Sequence, residues 1–165
     1  MSATRWLDEH EQRAWRAFLG TYHLLQDALD RQLQRDAGMP HAYYIVLAML
    51  SEAPDRTLRM SELANRVFGS QSRMSHAVAR LEERGWVRRE RYPHDRRGQL
   101  AVLTDEGYAV LAAAAHGHVT AVRENLFDQL TREQVEQLRQ ICDAALEKLD
   151  PDGSHRAALE PPAAR

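Results

Sequence analysis

Cysteine is nearly missing from the 165 residues: Cys142 stands alone. A single thiol excludes an intrachain disulfide and any zinc site built on paired cysteines. It also fits a reducing cytoplasm. Lysine is as scarce, with Lys148 the only one, so arginine carries the basic charge. No apolar run approaches the ~18 residues of a membrane span, and the first residues lack the apolar stretch of a secretory signal. No membrane partner is expected. Gly-x-Ser-x-Gly, the Walker loop, a glycine-rich dinucleotide turn and His-Glu-x-x-His are all absent, so neither an enzyme nor a bound cofactor or metal is expected. The composition, 44% hydrophobic and 28% charged, is that of a globular chain. The length suits one compact domain or two small lobes sharing a core.

What is present concentrates between Thr57 and Leu103. Helical patterns at 60–68 and 71–84 are followed by a β-prone segment at 86–92. A turn, Pro93-His94-Asp95-Arg96-Arg97-Gly98, leads to a second β-prone segment, Gln99–Leu103. Leu58 adds a short third strand. Helix, helix, strand, turn, strand is the layout of a winged helix-turn-helix, a DNA-reading module. The expected fold is therefore mainly α with a small antiparallel β wing.

The second of these helices carries most of the information. Met74, Ala77, Val78 and Leu81 fall at i, i+3, i+4 and i+7, one buried stripe. Ser70 suits the N-cap and Gly85 the position after the last turn. The opposite face shows Gln71, Ser72, Arg73, Ser75, His76 and Arg80, types that meet base edges and phosphates. No acid joins them until Glu82 and Glu83. The plainer alternative is an ordinary solvated helix face. Charge favours the first reading: from Thr57 to Gln99 ten arginines stand against five acids, a net +5 inside a chain of net −2. A basic island in an acidic chain is the footprint of a polyanion site. At the turn, Arg91, Asp95, Arg96 and Arg97 form a second candidate group. An arginine at a hairpin tip can enter a narrow minor groove, with Asp95 holding a neighbouring arginine; the alternative is a solvated charged hairpin.

The flanks are helical. Asp8 and Glu11 form a capping box ahead of a long amphipathic helix to about Asp36, marked by Trp15, Phe18, Leu19, Tyr22, Leu25, Leu29 and Leu33. Trp15 and Tyr22 read as core. Pro40 opens a second helix. Thr104 caps another, to Leu126 or Phe127, and Thr131 with Gln134 caps the last. Along it Val135, Leu138, Cys142, Ala145 and Leu149 step 3, 4, 3, 4, a heptad-like seam in which Cys142 reads as a buried packing thiol. These helices divide the chain into 1–37 and 104–150, two helical ends, around 38–103; residues 151–165 read as a loose tail. The ends carry more apolar surface than so small a module covers. Either they pack on each other within one chain, or they pair with a second copy, with Leu138, Cys142, Ala145 and Leu149 in the interface.

Four stretches together resemble one family. They are Arg59-Met60-Ser61-Glu62-Leu63-Ala64; Ser75-His76 with Arg80-Leu81-Glu82-Glu83-Arg84-Gly85-Trp86-Val87; Asp95-Arg96-Arg97; and Leu103-Thr104-Asp105-Glu106-Gly107. In order and spacing they are similar to the MarR (multiple-antibiotic-resistance regulator) transcription factors, over about residues 6–149. The resemblance implies a homodimer built from both chain ends, binding a pseudo-palindromic double-stranded DNA operator, as a ligand-responsive repressor in the cytoplasm. Asp95 and Arg97 match the family's Asp-x-Arg wing motif. The family's pocket for small aromatic acids or phenols points to Tyr22, His41, Tyr44 and His118. Zinc-sensing relatives use ligands from regions that here hold His23, His41, His116 and His118. Peroxide-sensing relatives carry a cysteine near the start of the first helix, where this chain has Trp6, Leu7 and Trp15, so thiol sensing is not expected. Two alternatives stay open: a helical interaction module that binds no DNA, and a metal-responsive regulator of the same fold.

Overall fold

Asp8 starts the first helix. Its carboxylate accepts the Glu11 N–H at 2.9 Å, and the Glu11 carboxylate accepts the Asp8 N–H at 2.9 Å, the reciprocal cap expected of that spacing. The structure, a computed structural model, describes residues 4–67, 71–92, 98–153 and 155, with Gln71 by its backbone only. Helix α1 is Glu9–Ala37 and α2 is His41–Glu52. Strand β1, Thr57–Arg59, leads to α3, Met60–Arg66, and α4, Gln71–Glu83. Strands β2, Val87–Arg91, and β3, Gln99–Leu103, precede α5, Asp105–Asn125, and α6, Arg132–Leu149. The expected N-cap Ser70 and the turn residues Asp95, Arg96 and Arg97 lie outside the described residues.

The sheet has the order β1-β3-β2 and is antiparallel throughout, with Leu58 opposite Ala101 and Arg89 opposite Ala101 on the other side. Strand β2 starts one residue later than the β-prone run because Trp86 belongs to the stop of α4. The Gly85 N–H bonds the Glu82 carbonyl at 2.9 Å and the Trp86 N–H bonds that of Leu81 at 3.0 Å. This pair needs a left-handed residue at Gly85, whose φ is 73°. Thr104 then ties the next helix to the same point. Its hydroxyl donates to the Gly85 carbonyl at 2.7 Å and accepts the Gly107 N–H at 3.0 Å. One core joins α2, α3, α4 and the sheet, with Leu47, Leu50, Leu63, Val78, Leu81 and Ala101 all fully buried.

The helical ends behave differently. Only Leu29, Gln32 and Leu33 of α1 are buried. Trp15 and Tyr22, expected in the core, are 51% and 52% exposed. The reason is length: 29 residues make a helix of about 44 Å, and only its last third reaches the core. Within-chain packing of the ends fails for α6, which has no buried residue. Cys142, expected to be buried, is exposed, because among the described residues the stripe is partly covered only at Val135 and Leu138 and is open from Cys142 through Ala145 to Leu149. Beyond α6, Asp150 is buried and accepts the His155 N–H at 3.1 Å. The His155 ring meets the Asn65 carbonyl at 2.8 Å, so the end of α6 is tied to α3.

Candidate nucleic-acid interface

Helix α4 presents two faces. Met74, Val78 and Leu81 are 4%, 0% and 0% exposed, which presses the helix onto α2, α3 and the sheet. Ser72, Arg73, Ser75, His76 and Arg80 are all exposed on the other side. Side chains at these positions follow the 3.6-residue period, so they form one surface about two and a half turns long. Gln71 lies in the first turn, with only its backbone described.

The arginines of the basic stretch fall into two sets. One set holds the module together. Arg89 on β2 donates to the Ser75 carbonyl at 2.7 Å, while its backbone N–H reaches Glu82 at 3.1 Å. Arg84 donates to the Gly38 carbonyl at 3.2 Å and lies over Trp86, 4.9 Å from the ring centre. Arg59 stacks on Tyr92 and bonds its hydroxyl. Arg66 pairs with Glu62 and Arg88 with Glu90. Even Arg80 on the exposed face bonds Glu83 at 2.7 Å. The other set is turned outward: Arg73 on α4 and Arg91 at the end of β2 are exposed, and Arg91 has no ion-pair partner among the described residues. The net +5 of the stretch already counts these acids; what the contacts take up is guanidinium donors. Arg84 and Arg89 were not singled out by sequence, since no local pattern distinguishes a bracing arginine from a solvated one.

The residues expected to line a ligand pocket divide between two places. His41, Tyr44 and His118 stack: His118 lies 5.3 Å from His41 and 4.2 Å from Tyr44 between ring centres. His41 Nδ1 meets Gln26 Oε1 at 3.0 Å. Tyr22 lies instead on an open cleft of about 890 Å³ that it shares with His41, Asp30, Arg66, Arg73 and Met74. Among the described residues no three His, Cys, Asp or Glu gather to hold a metal ion, and His116 opens onto a separate groove between α1 and α5.

Burial lowers the His41 pKa against the opposing pull of Asp30. Burial, then His41, lowers His118 to about 4. Burial, then Glu52, raises the Tyr44 hydroxyl. The folded chain thus keeps His118 neutral where the unfolded chain, near 6.5, takes up a proton. Between pH 6.5 and 4 the unfolded state binds more protons, so stability falls as pH drops through that window. His118→Phe keeps the ring stack, removes a buried Nδ1 that has no hydrogen-bond partner among the described residues, and should flatten the profile. We expect wild type to lose on the order of 1 kcal/mol more than the variant across this range, after discounting for solvent screening. Thermal unfolding from pH 7 to pH 4 measures it; parallel curves for the two proteins would contradict it.

Residues 37–98 match the family model described as MarR family. The chain is 56% identical to Sco3205 of Streptomyces coelicolor, a MarR family transcriptional regulator crystallised in complex with DNA. The two superpose with a TM-score of 0.87 over 92% of this chain and 94% of that one. The chain belongs to the MarR family. It is also similar to AbsC, a MarR family transcriptional regulator of the same organism, at 39% identity and a TM-score of 0.83, over 88% of this chain and 98% of AbsC. Against the HTH-type transcriptional regulator PecS of Dickeya dadantii it is 27% identical over 103 residues, and the match spans 62% of each protein. The structure is mainly helical with a small three-stranded antiparallel sheet, the winged-helix architecture of these MarR proteins. Among its described residues no helix is long and apolar enough to cross a membrane. In this MarR chain the long exposed faces of α1 and α6 also carry Phe18 and Ile141, at 58% and 67% exposure. Ile141 shares a side of α6 with Leu138 and Ala145, and a strict 3-4 reading of the seam passes over it.

Proposed function

We propose that the protein is a transcription regulator that binds double-stranded DNA as a homodimer, with α4 in the major groove. The observation that carries this is the α4 surface: five exposed polar or basic side chains on a helix whose other face is locked into the core by Met74, Val78 and Leu81. A rigid scaffold presenting Arg, Ser and His at the start of a helix is what base-edge reading requires. The likeness to Sco3205, solved with DNA, supports it. Residues 38–103 would form the DNA-reading lobe, with Arg91, Asp95, Arg96 and Arg97 serving the groove beside it. Residues 1–37 and 104–150 would form the dimer.

We further infer a repressor that a small aromatic or phenolic ligand releases. The supporting observation is the cleft that brings Tyr22 and His41 together with Arg73, Met74 and Ala77 of α4. A molecule there would touch the helical end and the reading helix at once, the arrangement that couples two sites.

Arg73→Ala tests the reading of α4. Arg73 lies in the first turn, on the exposed face, where helix-turn-helix proteins reach base edges. Loss of its contacts should cost about 1–3 kcal/mol per half-site and relax preference at one base pair, a G·C pair by the chemistry of guanidinium. Sequences selected from random DNA, then titrated as single-base variants by fluorescence anisotropy, measure both effects. Unchanged affinity and preference would mean that α4 does not read DNA. No binding to any selected sequence by wild type would leave the chain a helical interaction module.

A further inference from the structure

Apolar packing holds a helix down but has no direction, so it fixes poorly how far the helix is turned about its own axis. Met74, Val78 and Leu81 hold α4 in this way. Reading a base edge asks for more. Side-chain tips stand about 5–6 Å from a helix axis, so a roll of ~20° carries them about 2 Å, enough to break a hydrogen bond. A directional contact from a second element removes that freedom, and Arg89 on β2 makes one.

The Arg89 Nη2 donates to the Ser75 carbonyl at 2.7 Å. Its backbone N–H donates to Glu82 Oε1 at 3.1 Å, and its Nε lies 3.7 Å from Glu82 Oε2. One residue of β2 thus grips α4 at two points about 10 Å apart along the axis. The side chain is 25% exposed, and its Nε is buried with no hydrogen-bond partner among the described residues. Stability does not call for this arrangement. The Ser75 carbonyl sits inside α4, where the helix supplies an N–H of its own. Glu82 keeps its contact with water. An apolar side chain in place of a largely covered ion pair is often neutral or stabilising. Two residues along the strand, Arg91 shares the β2 face of Arg89 and is exposed. The brace therefore also sets α4 against the strand that carries Arg91.

We propose that Arg89 is a positioning residue for DNA reading: it fixes the roll of α4 and its register against β2, and so sharpens base preference without touching DNA. This rests on the reading of α4 as the helix that enters the major groove. The test takes the full chain as wild type, Arg89→Met and Arg89→Lys. Each is titrated at several salt concentrations against the sequence wild type selects from random DNA and against its single-base variants, with Tm measured alongside. Methionine keeps the backbone bond and removes the guanidinium. The affinity ratio between the selected sequence and its variants should fall at least ~5-fold, with Tm within about 3 °C of wild type and the slope of log K against log salt unchanged. The ammonium of Arg89→Lys cannot hold Ser75 and Glu82 together as the guanidinium fork does. Its ratio should fall about 2-fold, which decides the matter should Arg89→Met not fold. A slope smaller by about 2 in the dimer would make Arg89 a phosphate contact and overturn the proposal. So would an unchanged ratio in the folded variants, or a lowered Tm with preference intact, which would make the arginine a packing element. Absence of any preference in wild type would instead remove the reading of α4 on which the proposal rests, and the proposal with it.

Discussion

With Ile141 and Leu149 both changed to aspartate, the protein should sediment as a folded monomer. In the single chain these side chains are 67% and 76% exposed, so charging them costs the subunit's own fold almost nothing. Across a two-fold interface the same pair of substitutions places four carboxylates on apolar surface. Each desolvated charge costs several kcal/mol unless paired, and the total exceeds what one helical seam supplies. Leu138 is a poorer probe because it is half-buried in its own chain, so its replacement mixes folding with assembly. Sedimentation velocity and far-UV circular dichroism separate the two effects. A dimer that persists in the double variant would show that α6 is not the interface. A monomer that keeps its Tm would support assembly through the faces of α1 and α6 left bare in one chain. Such a monomer should also bind a selected DNA sequence at least ~100-fold more weakly, since it holds one half-site.

Gly107→Ala should unfold much of the protein at 37 °C. Alanine is the better helix former by about 1 kcal/mol, and on a solvated helix the change would stabilise. Here a Cβ would lie 2.8 Å from the Trp86 carbonyl carbon, closer still to its oxygen, and 2.9 Å from Leu103 Cδ1. Two of those atoms are backbone and cannot turn aside. The same Trp86 oxygen accepts the Thr104 N–H at 3.1 Å, so moving it breaks the bond that seats the start of α5. Overpacking against backbone at a buried site costs about 3 kcal/mol or more, and it outweighs the propensity gain. A urea midpoint well below wild type measures it. An unchanged midpoint would mean that α5 shifts off the α4–β2 junction without loss, and that the two lobes are less firmly joined than Thr104 indicates.

Local signals were legible in sequence because they depend on neighbours a few residues apart. The capping boxes at Asp8–Glu11 and Thr131–Gln134 both form, since each needs only three residues and the right side-chain lengths. The stripe Met74, Val78 and Leu81 is buried as its period requires, and Gly85 takes the left-handed turn that ends α4. Burial along α1 and α6 was not legible. Trp15, Tyr22 and Cys142 sit on amphipathic stripes, and a stripe states only that something apolar must cover it. Whether the cover comes from the same chain depends on helix length and direction, which periodicity does not carry.

Helix positions, the two capping boxes and the polar face of α4 were thus determined by the sequence itself, because hydrogen bonding within a turn and hydrophobic period are short-range. The tertiary structure decided which arginines are available. Arg84 and Arg89 are spent on carbonyls and a ring of distant segments, while Arg91 faces outward. It also decided that His118 is stacked on Tyr44 and held neutral, and that Gly107 and Gly117 are glycines for space rather than for φ. Each of these depends on the approach of elements far apart in the chain, and that approach is set by the packing of the whole core.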